Sequence, residues 1–76
     1  MNWEELKEAK LPIVLYGMGD GADRILAALA AHGLQAAGVF ASDEFVRGQV
    51  FHSFPVLQYE EAKRRFGRML VLLAFG

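Results

Sequence analysis

The chain has 76 residues, of which 54% are hydrophobic, and its formal net charge is -1. The lack of cysteine excludes a disulfide scaffold and thiolate metal sites, and the small net charge gives no electrostatic support for nucleic acid or an anionic membrane as a partner. A chain of this length buries only about 60% of its unfolded surface, so the hydrophobic composition predicts a fragment of a longer protein, or one whose apolar surface is covered by a partner.

The first residues, Met-Asn-Trp-Glu-Glu, are acidic and lack the features of a secretory signal peptide. No apolar run approaches the roughly 20 residues of a membrane span. We therefore expect a cytoplasmic protein with no membrane partner.

Residues 2–10 predict a short helix that is capped by Asn2, with Glu5 in the position of a capping box. Trp3 and Leu6 share one face of this helix. We expect these two side chains to cover one end of a sheet.

A short apolar run followed by glycines organises the rest of the chain. Residues 13–16, Ile-Val-Leu-Tyr, predict a parallel strand that is buried on both faces. Gly17, Gly19 and Ala22 follow in the spacing G-x-G-x-x-A, which is typical of a dinucleotide-binding turn between a strand and a helix. The sequence therefore predicts a nucleotide-binding turn at this point.

Each small residue of the turn has a physical role. Gly17 permits a tight turn, Gly19 lets a phosphate approach the backbone, and Ala22 lets the helix pack close to the strand. The start of the helix offers free N–H groups and the positive end of its dipole to an anion. The predicted cofactor-binding residues of the turn are Gly17, Met18, Gly19, Asp20 and Gly21.

Asp20 opposes this interpretation, because its carboxylate would repel a pyrophosphate unless it faced away. Its alternative role is that of an N-cap, which accepts a hydrogen bond from the first helical turn, and we favour the cap. The helix is expected to run from about Asp20 to His32, with Ile25 and Leu29 on its apolar face and Gly33 at its end.

Residues 35–40 predict the second strand, which ends in Ala41-Ser42-Asp43. In dinucleotide-binding folds an acidic residue near this point bonds the ribose hydroxyls. Asp43 stands slightly later than the usual position, and its alternative role is that of an ordinary turn aspartate. We include Asp43 among the predicted cofactor-binding residues.

Residues 43–57 predict a loop or small hairpin that leads into a short third strand near Val56. Pro55 favours an edge position for that strand. Arg47 and His52 are the basic groups of the loop, and each could reach an anion above the glycine turn. Such residues are more often solvated or tie the loop to itself.

Residues 59–66 predict a further helix that ends at Gly67, with Tyr59, Ala62 and Phe66 facing the sheet. Its acidic first turn and basic last turn match the helix dipole. Residues 69–75 are apolar throughout and predict the last strand, beside the first.

Right-handed crossovers between these strands give an α/β fold, a truncated Rossmann-like parallel sheet of about four strands in the order 3-2-1-4 with flanking helices. Residues 1–76 would form one half mononucleotide-binding domain. The ligand crevice would be floored by residues 17–20 and 75–76. The last strand would be an uncovered edge, so the expected partner is a downstream catalytic domain or a second copy, bound through the exposed sheet surface.

The order of the motifs supports a family resemblance. From about Pro12 onward the chain contains Val-Leu-Tyr-Gly-Met-Gly-Asp-Gly-Ala, Gly-Val-Phe-Ala-Ser-Asp, a loop with Arg-Gly-Gln, Phe-Pro-Val-Leu, and Leu-Leu-Ala-Phe-Gly. In this it resembles the small Rossmann-like domain that precedes FkbM-family methyltransferase domains, and it is similar to domains that begin some sugar acetyltransferases and nucleotide-sugar-modifying enzymes. The resemblance implies an accessory domain for a nucleotide or nucleotide-sugar, with Gly17, Gly19 and Asp43 as ligand contacts and the S-adenosylmethionine site in a following domain.

Three functions follow from these observations. The first is a nucleotide- or nucleotide-sugar-binding accessory module of a methyltransferase. The second is the NAD(P)-binding domain of an oxidoreductase. The absence of the second half of the cofactor site argues against this function. The third is a structural or dimerisation module without a ligand, in which Asp20 or Met18 would fill the crevice. We predict no catalytic and no metal-binding residue in this chain.

Overall fold

A computed structural model describes residues 2–75, which form three α-helices and five strands. The elements are α1 (Trp3–Ala9), β1 (Ile13–Tyr16), α2 (Asp20–Ala31), β2 (Gly38–Phe40), β3 (Val50–Phe51), β4 (Phe54–Leu57), α3 (Tyr59–Phe66) and β5 (Leu70–Leu73). One 3₁₀ turn, Asp43–Phe45, follows β2. The described helices lack the length and the apolar character that crossing a bilayer requires.

The strands form one mixed sheet in the order β3-β4-β2-β1-β5. β1 pairs in parallel with β2 and with β5, and β2 pairs in parallel with β4. β3 and β4 form an antiparallel hairpin. The α/β class is therefore confirmed, whereas the expected purely parallel sheet of four strands is wrong. The parallel strands β4-β2-β1-β5 stand in the expected order 3-2-1-4, and β3 is an additional strand.

The edge position expected for the strand of Pro55 is wrong, because β3 lies outside β4 in the sheet. The N–H of Val56 donates to the Gln49 carbonyl oxygen on the β3 side, at 3.0 Å. Successive N–H groups of a strand point to opposite sides, so the nitrogen of Pro55 faces β2. The pairing of β2 with β4 begins one residue later, at Val39 and Val56. The proline therefore removes no hydrogen bond from the ladder.

Helices cover both faces of the sheet around β1. Leu15 and Val14 are both fully buried, although they point to opposite faces. The face of α1 and α2 buries the side chains Leu6, Ile13, Leu15, Ala22, Leu29, Val39 and Ala74. The face of α3 buries Val14, Phe40, Leu57 and Ala62. Each fully buried Leu or Val contributes about 1.5–3 kcal/mol to the free energy of folding, and this explains the continuous apolar run of β1.

The first helix packs as the sequence predicted. The Asn2 side chain accepts a hydrogen bond from the Glu5 N–H at 2.8 Å. Leu6 is buried beside Ile13 at the start of β1. Trp3 packs against the same cluster and stacks on His32, the residue that follows α2, with ring centroids 4.1 Å apart. α1 therefore covers the end of the sheet at which β1 begins.

The last helix lies close to β2 because Gly38 has no side chain. A Cβ atom at Gly38 would lie 2.6 Å from the Phe66 ring. Ala62 is fully buried against the sheet, and Tyr59 contacts Phe40 at 5.5 Å between ring centroids, although 46% of Tyr59 is exposed. α3 ends at Gly67, which has φ +64°. The expected sheet-facing residues and the expected end of this helix are confirmed.

Candidate ligand-binding site

The glycine turn leaves β1 through backbone conformations that favour glycine. Gly17 and Gly19 have φ values of +118° and +100°. The Gly17 N–H donates to the Phe40 carbonyl oxygen at 2.9 Å, which fixes the turn to the end of β2. A Cβ atom at Gly17 would lie 3.0 Å from the Ala74 carbonyl oxygen. Gly17 therefore has a packing role as well as a turning role.

Gly19 is the open position of the turn. Apart from its chain neighbours, no heavy atom of residues 2–75 comes within 4 Å of the point where its Cβ would lie. Gly21, by contrast, is buried, and its Cβ would lie 2.8 Å from the Phe75 carbonyl oxygen and 2.9 Å from that of Ala74. Gly21 therefore lets the start of α2 approach the end of β5, whereas Gly19 leaves space for a ligand.

Asp20 does not cap α2, so that prediction is wrong. Gly19 is the N-cap residue, with φ +100° and ψ −154°, and Asp20 is already the first helical residue. Such a backbone conformation is essentially restricted to glycine, so the cap is Gly19, while the helix begins at Asp20 as expected. The Asp20 side chain is exposed and does not line the cavity described below.

The first turn of α2 presents unpaired backbone donors. The Asp23 N–H bonds to the Gly19 carbonyl oxygen at 2.9 Å. The three preceding N–H groups find no acceptor among residues 2–75; they belong to Asp20, Gly21 and Ala22. These donors and the helix dipole favour negative charge at this point.

A cavity of about 280 Å³ adjoins the turn at the carboxyl ends of β1, β2 and β5. We call it the aromatic slot; its lining residues are Tyr16, Gly17, Met18, Ala41, Ser42, Phe45 and Phe75. Phe45 is 56% exposed and Phe75 is 65% exposed, which is high for phenylalanine. Ligands of open α/β sheets bind outside the carboxyl ends of the strands, which is where this cavity lies.

Tyr16 forms a fixed floor for the aromatic slot. Its hydroxyl shares a hydrogen bond of 2.8 Å with the Ser42 hydroxyl. Its ring stacks on Phe40, with centroids 4.8 Å apart and planes 5° apart. The edge contact of Tyr16 with Phe75 is 5.2 Å between centroids. Three strand ends are therefore connected through this one tyrosine.

The β3–β4 hairpin is fastened over the start of α2. His52 Nε2 lies 2.5 Å from Asp23 Oδ1. Gln49 Nε2 donates to the Phe45 carbonyl oxygen at 2.7 Å and lies 3.9 Å from the Met18 sulfur. Met18 packs against the core on the α2 face and forms one wall of the aromatic slot. The thioether bounds the cavity and leaves its volume of about 280 Å³ open.

The predicted site residues divide into three groups. Gly17 and Met18 line the aromatic slot. Gly19, Asp20 and Gly21 form the adjoining start of α2. Asp43 begins the 3₁₀ turn, is exposed, and does not line the cavity, although its neighbour Ser42 does. Gly76, which was also expected to floor the crevice, lies outside the described residues.

Phe75 lines the aromatic slot, in keeping with its expected place at the floor of the crevice, whereas Tyr16, Ser42 and Phe45 also line it and were not among the predicted site residues. Their shared signal is position, because each stands at the carboxyl end of a parallel strand or within five residues of it.

The chain also contains one Tyr-x-x-x-Lys spacing, on α3, where Lys63 Nζ lies 5.9 Å from the Tyr59 ring centroid. Neither of these two residues lines the slot.

Comparison of the chain with protein-family models, with curated proteins and with solved structures finds no match. Within residues 2–75, no group of three or more His, Asp or Glu side chains is arranged to hold a metal ion.

Proposed function

We propose that the chain is a Rossmann-like, half mononucleotide-binding module that holds a nucleotide or nucleotide-sugar for a larger enzyme. The observation that carries the proposal is that Gly17 and Met18, which line the apolar cavity, lead directly along the chain into Gly19 and the start of α2. The larger enzyme would be a methyltransferase of the FkbM type, an assignment that rests on the sequence resemblance. If the chain is instead the cofactor-binding domain of an oxidoreductase, its ligand is NAD(P).

The phosphate would lie at the start of α2. Gly19 leaves the backbone open to an approaching oxygen, and the N–H of Asp20, an exposed residue, lies beside it. Gly21 and Ala22 are buried, so the dipole of α2 acts on the phosphate there rather than their N–H groups. Asp23, one of the two acidic side chains of this turn, is bonded to His52. Asp20, the other, is exposed to solvent, which screens its repulsion of the phosphate.

The test is an NMR titration of the backbone amides with AMP, UDP, NAD, a UDP-sugar and S-adenosylmethionine at millimolar concentration. We expect shifts of the amides of residues 17–22 with at least one of these ligands. If no compound of the panel shifts them, the proposal is wrong.

Gly19→Ala and Gly33→Ala form a matched pair of variants. Both glycines have positive φ, +100° and +72°, and neither has a heavy atom of residues 2–75 beyond its neighbours within 4 Å of its missing Cβ. The two sites are matched in open space but not in backbone cost, because the φ +100° and ψ −154° of Gly19 are essentially restricted to glycine. The unfolding midpoints of both variants are therefore measured first, and binding is compared under conditions in which both are folded; only Gly19 adjoins the start of α2. We expect Gly19→Ala to weaken binding at least tenfold and Gly33→Ala to leave it unchanged. Equal losses in the two variants would contradict a phosphate position at Gly19.

A second candidate function, as an interaction module, is favoured by β5. Among the described strands, β5 pairs on one side only, with β1. Its Val71 and Leu73 are 40% and 65% exposed, and residues 69–75 contain no charged side chain. Edge strands of monomeric proteins usually carry such charges, so a downstream domain or a second copy would cover this strand.

Sedimentation velocity of the wild-type chain and of Val71→Lys tests the second candidate. If β5 joins two copies, the wild-type chain sediments as a dimer and the variant as a monomer of unchanged helix content. Val50→Lys is the control, because Val50 is equally apolar and 66% exposed but lies in β3, at the opposite edge of the sheet. A monomer at all concentrations would contradict the self-association.

A further inference from the structure

We propose that the aromatic slot holds the base of the nucleotide, stacked on the rings of Phe45 and Phe75, and that it accepts different bases with little discrimination. This inference rests on the proposed function and extends it to the part of the ligand that carries no charge. The two phenylalanines line the same cavity and belong to different strand ends, since Phe45 lies in the 3₁₀ turn after β2 and Phe75 follows β5.

The size of the cavity suits one base and not a whole cofactor. Pockets that enclose drug-sized ligands have volumes of about 300–1,000 Å³. The aromatic slot, at about 280 Å³, lies just below this range. It can therefore enclose one end of a nucleotide, while the sugar and phosphate extend past Gly17 towards Gly19.

The walls of the cavity offer flat apolar surface. Phe45 and Phe75 have more than half of their surface exposed, so each ring has a face or an edge without a partner in residues 2–75. Tyr16 is fixed by its hydrogen bond to Ser42 and by its ring stacking, so the floor does not have to be ordered on binding. Such preorganisation lowers the entropic cost of binding. Every base has a π face, which makes stacking tolerant of base identity.

The polar groups of the cavity explain the expected lack of discrimination. Tyr16 and Ser42 supply the only polar side chains among its lining residues, and their hydroxyl groups are bonded to each other. No amide, carboxylate or basic side chain lines the cavity to read the edge of a base. We therefore expect AMP and UMP to bind with dissociation constants within about fivefold of each other.

The test compares ligands that share the phosphate and differ in the base. AMP, UMP and ribose 5-phosphate are titrated against the full chain and followed by backbone amide shifts. Stacking of a base adds about 1–3 kcal/mol, so we expect AMP to bind about tenfold more tightly than ribose 5-phosphate. AMP and UMP should also shift the amides of residues 42–45, whereas ribose 5-phosphate should shift only those of residues 17–22.

Variants locate the effect in the slot. Phe45→Leu and Phe75→Leu each keep an apolar side chain at an exposed position and should retain the fold. We expect both variants to reduce the preference for AMP over ribose 5-phosphate to less than threefold, and to leave the affinity for ribose 5-phosphate unchanged. Tyr59→Leu is the control, because Tyr59 is an exposed aromatic residue that does not line the slot.

The outcomes separate this inference from the proposed function. Equal affinity for AMP and ribose 5-phosphate would overturn the base-binding slot and leave the phosphate position intact. An unchanged preference in both phenylalanine variants would overturn the stacking. A difference of more than about fivefold between AMP and UMP would overturn the lack of discrimination. Binding by none of the three ligands would overturn the inference, and the proposed function would fall with it only if the wider panel of nucleotides also left the amides of residues 17–22 unshifted.

Discussion

The hydroxyl groups of Tyr16 and Ser42 share a hydrogen bond of 2.8 Å that joins the last residue of β1 to the segment after β2. Tyr16 pairs with Phe40, the last residue of β2, and Ser42 follows Phe40 by two positions. Because the bond is partly buried, its net contribution to the free energy of unfolding should be about 1 kcal/mol. It fixes the distance between two strand ends that border the candidate site.

Tyr16→Phe and Ser42→Ala should each lower the free energy of unfolding by about 1 kcal/mol. The double variant should be little worse than either single variant, because the same bond is lost in all three. Urea unfolding of the four proteins gives the coupling energy directly. Strict additivity of the two effects would show that the hydroxyl groups do not stabilise the fold through each other.

Gly21→Ala should be more destabilising than Gly38→Ala. The new Cβ at Gly21 would meet two carbonyl oxygens of the backbone at 2.8 and 2.9 Å, and these cannot move without displacing the end of β5. The new Cβ at Gly38 would meet the Phe66 ring, a half-buried side chain that can shift. Overpacking typically costs about 1–3 kcal/mol, and we expect Gly21→Ala at the upper end and Gly38→Ala at the lower end. Thermal unfolding monitored by circular dichroism distinguishes them, and the reverse order would be inconsistent with this packing.

Leu15→Ala should unfold the protein or nearly do so. Leu15 is fully buried, and truncation of a buried leucine costs about 2–5 kcal/mol. A chain of this size has a free energy of unfolding of only a few kcal/mol. Leu73→Ala makes the same chemical change at a side chain that is 65% exposed, and we expect it to cost less than about 1 kcal/mol. The dispersion of the amide signals in the NMR spectra of the two variants shows which of them remains folded. A well-dispersed spectrum of Leu15→Ala would contradict the assignment of the core.

Ser53→Gly should stabilise the β3–β4 hairpin. His52 and Ser53 form its two-residue loop, with φ values of +50° and +72°. Such loops favour glycine at the second position, because a side chain there raises the energy of positive φ. We expect a gain of about 0.5–1 kcal/mol in the free energy of unfolding, measured by urea denaturation. His52 should be kept, since it bonds to Asp23, and a loss of stability in Ser53→Gly would show that the loop conformation is different.

The sequence predicted those elements whose hydrophobic period and end signals agree. The range of α3 was predicted correctly because its charge pattern and Gly67 mark both ends. β3 was not predicted as a separate strand, because Val50–Phe51 is too short to show an alternating pattern. Its exposed Val50 and half-buried Phe51 look like a loop until the pairing with β4 is seen.

The glycines of the candidate site were predicted, as were Met18 and Phe75, whereas Tyr16, Ser42 and Phe45 were not. Gly17 and Gly19 could be recognised because positive φ requires glycine, and this requirement is local. The role of Gly21 depends on how closely β5 approaches, which the sequence around the turn does not contain. Phe45 and Phe75 come together only through the order of the strands. Local chemistry therefore identified the turn, and the sheet topology was needed to find the cavity beside it.

The stacking of Trp3 on His32 gives the protein an internal optical reporter. Trp3 is the only tryptophan in the chain, and its ring lies 4.1 Å from the imidazole, with 13° between the planes. An imidazole stacked on an indole quenches its emission. Separation of α1 from the end of α2 should therefore change the fluorescence intensity before the sheet itself opens, so detachment of the N-terminal helix can be followed without any label.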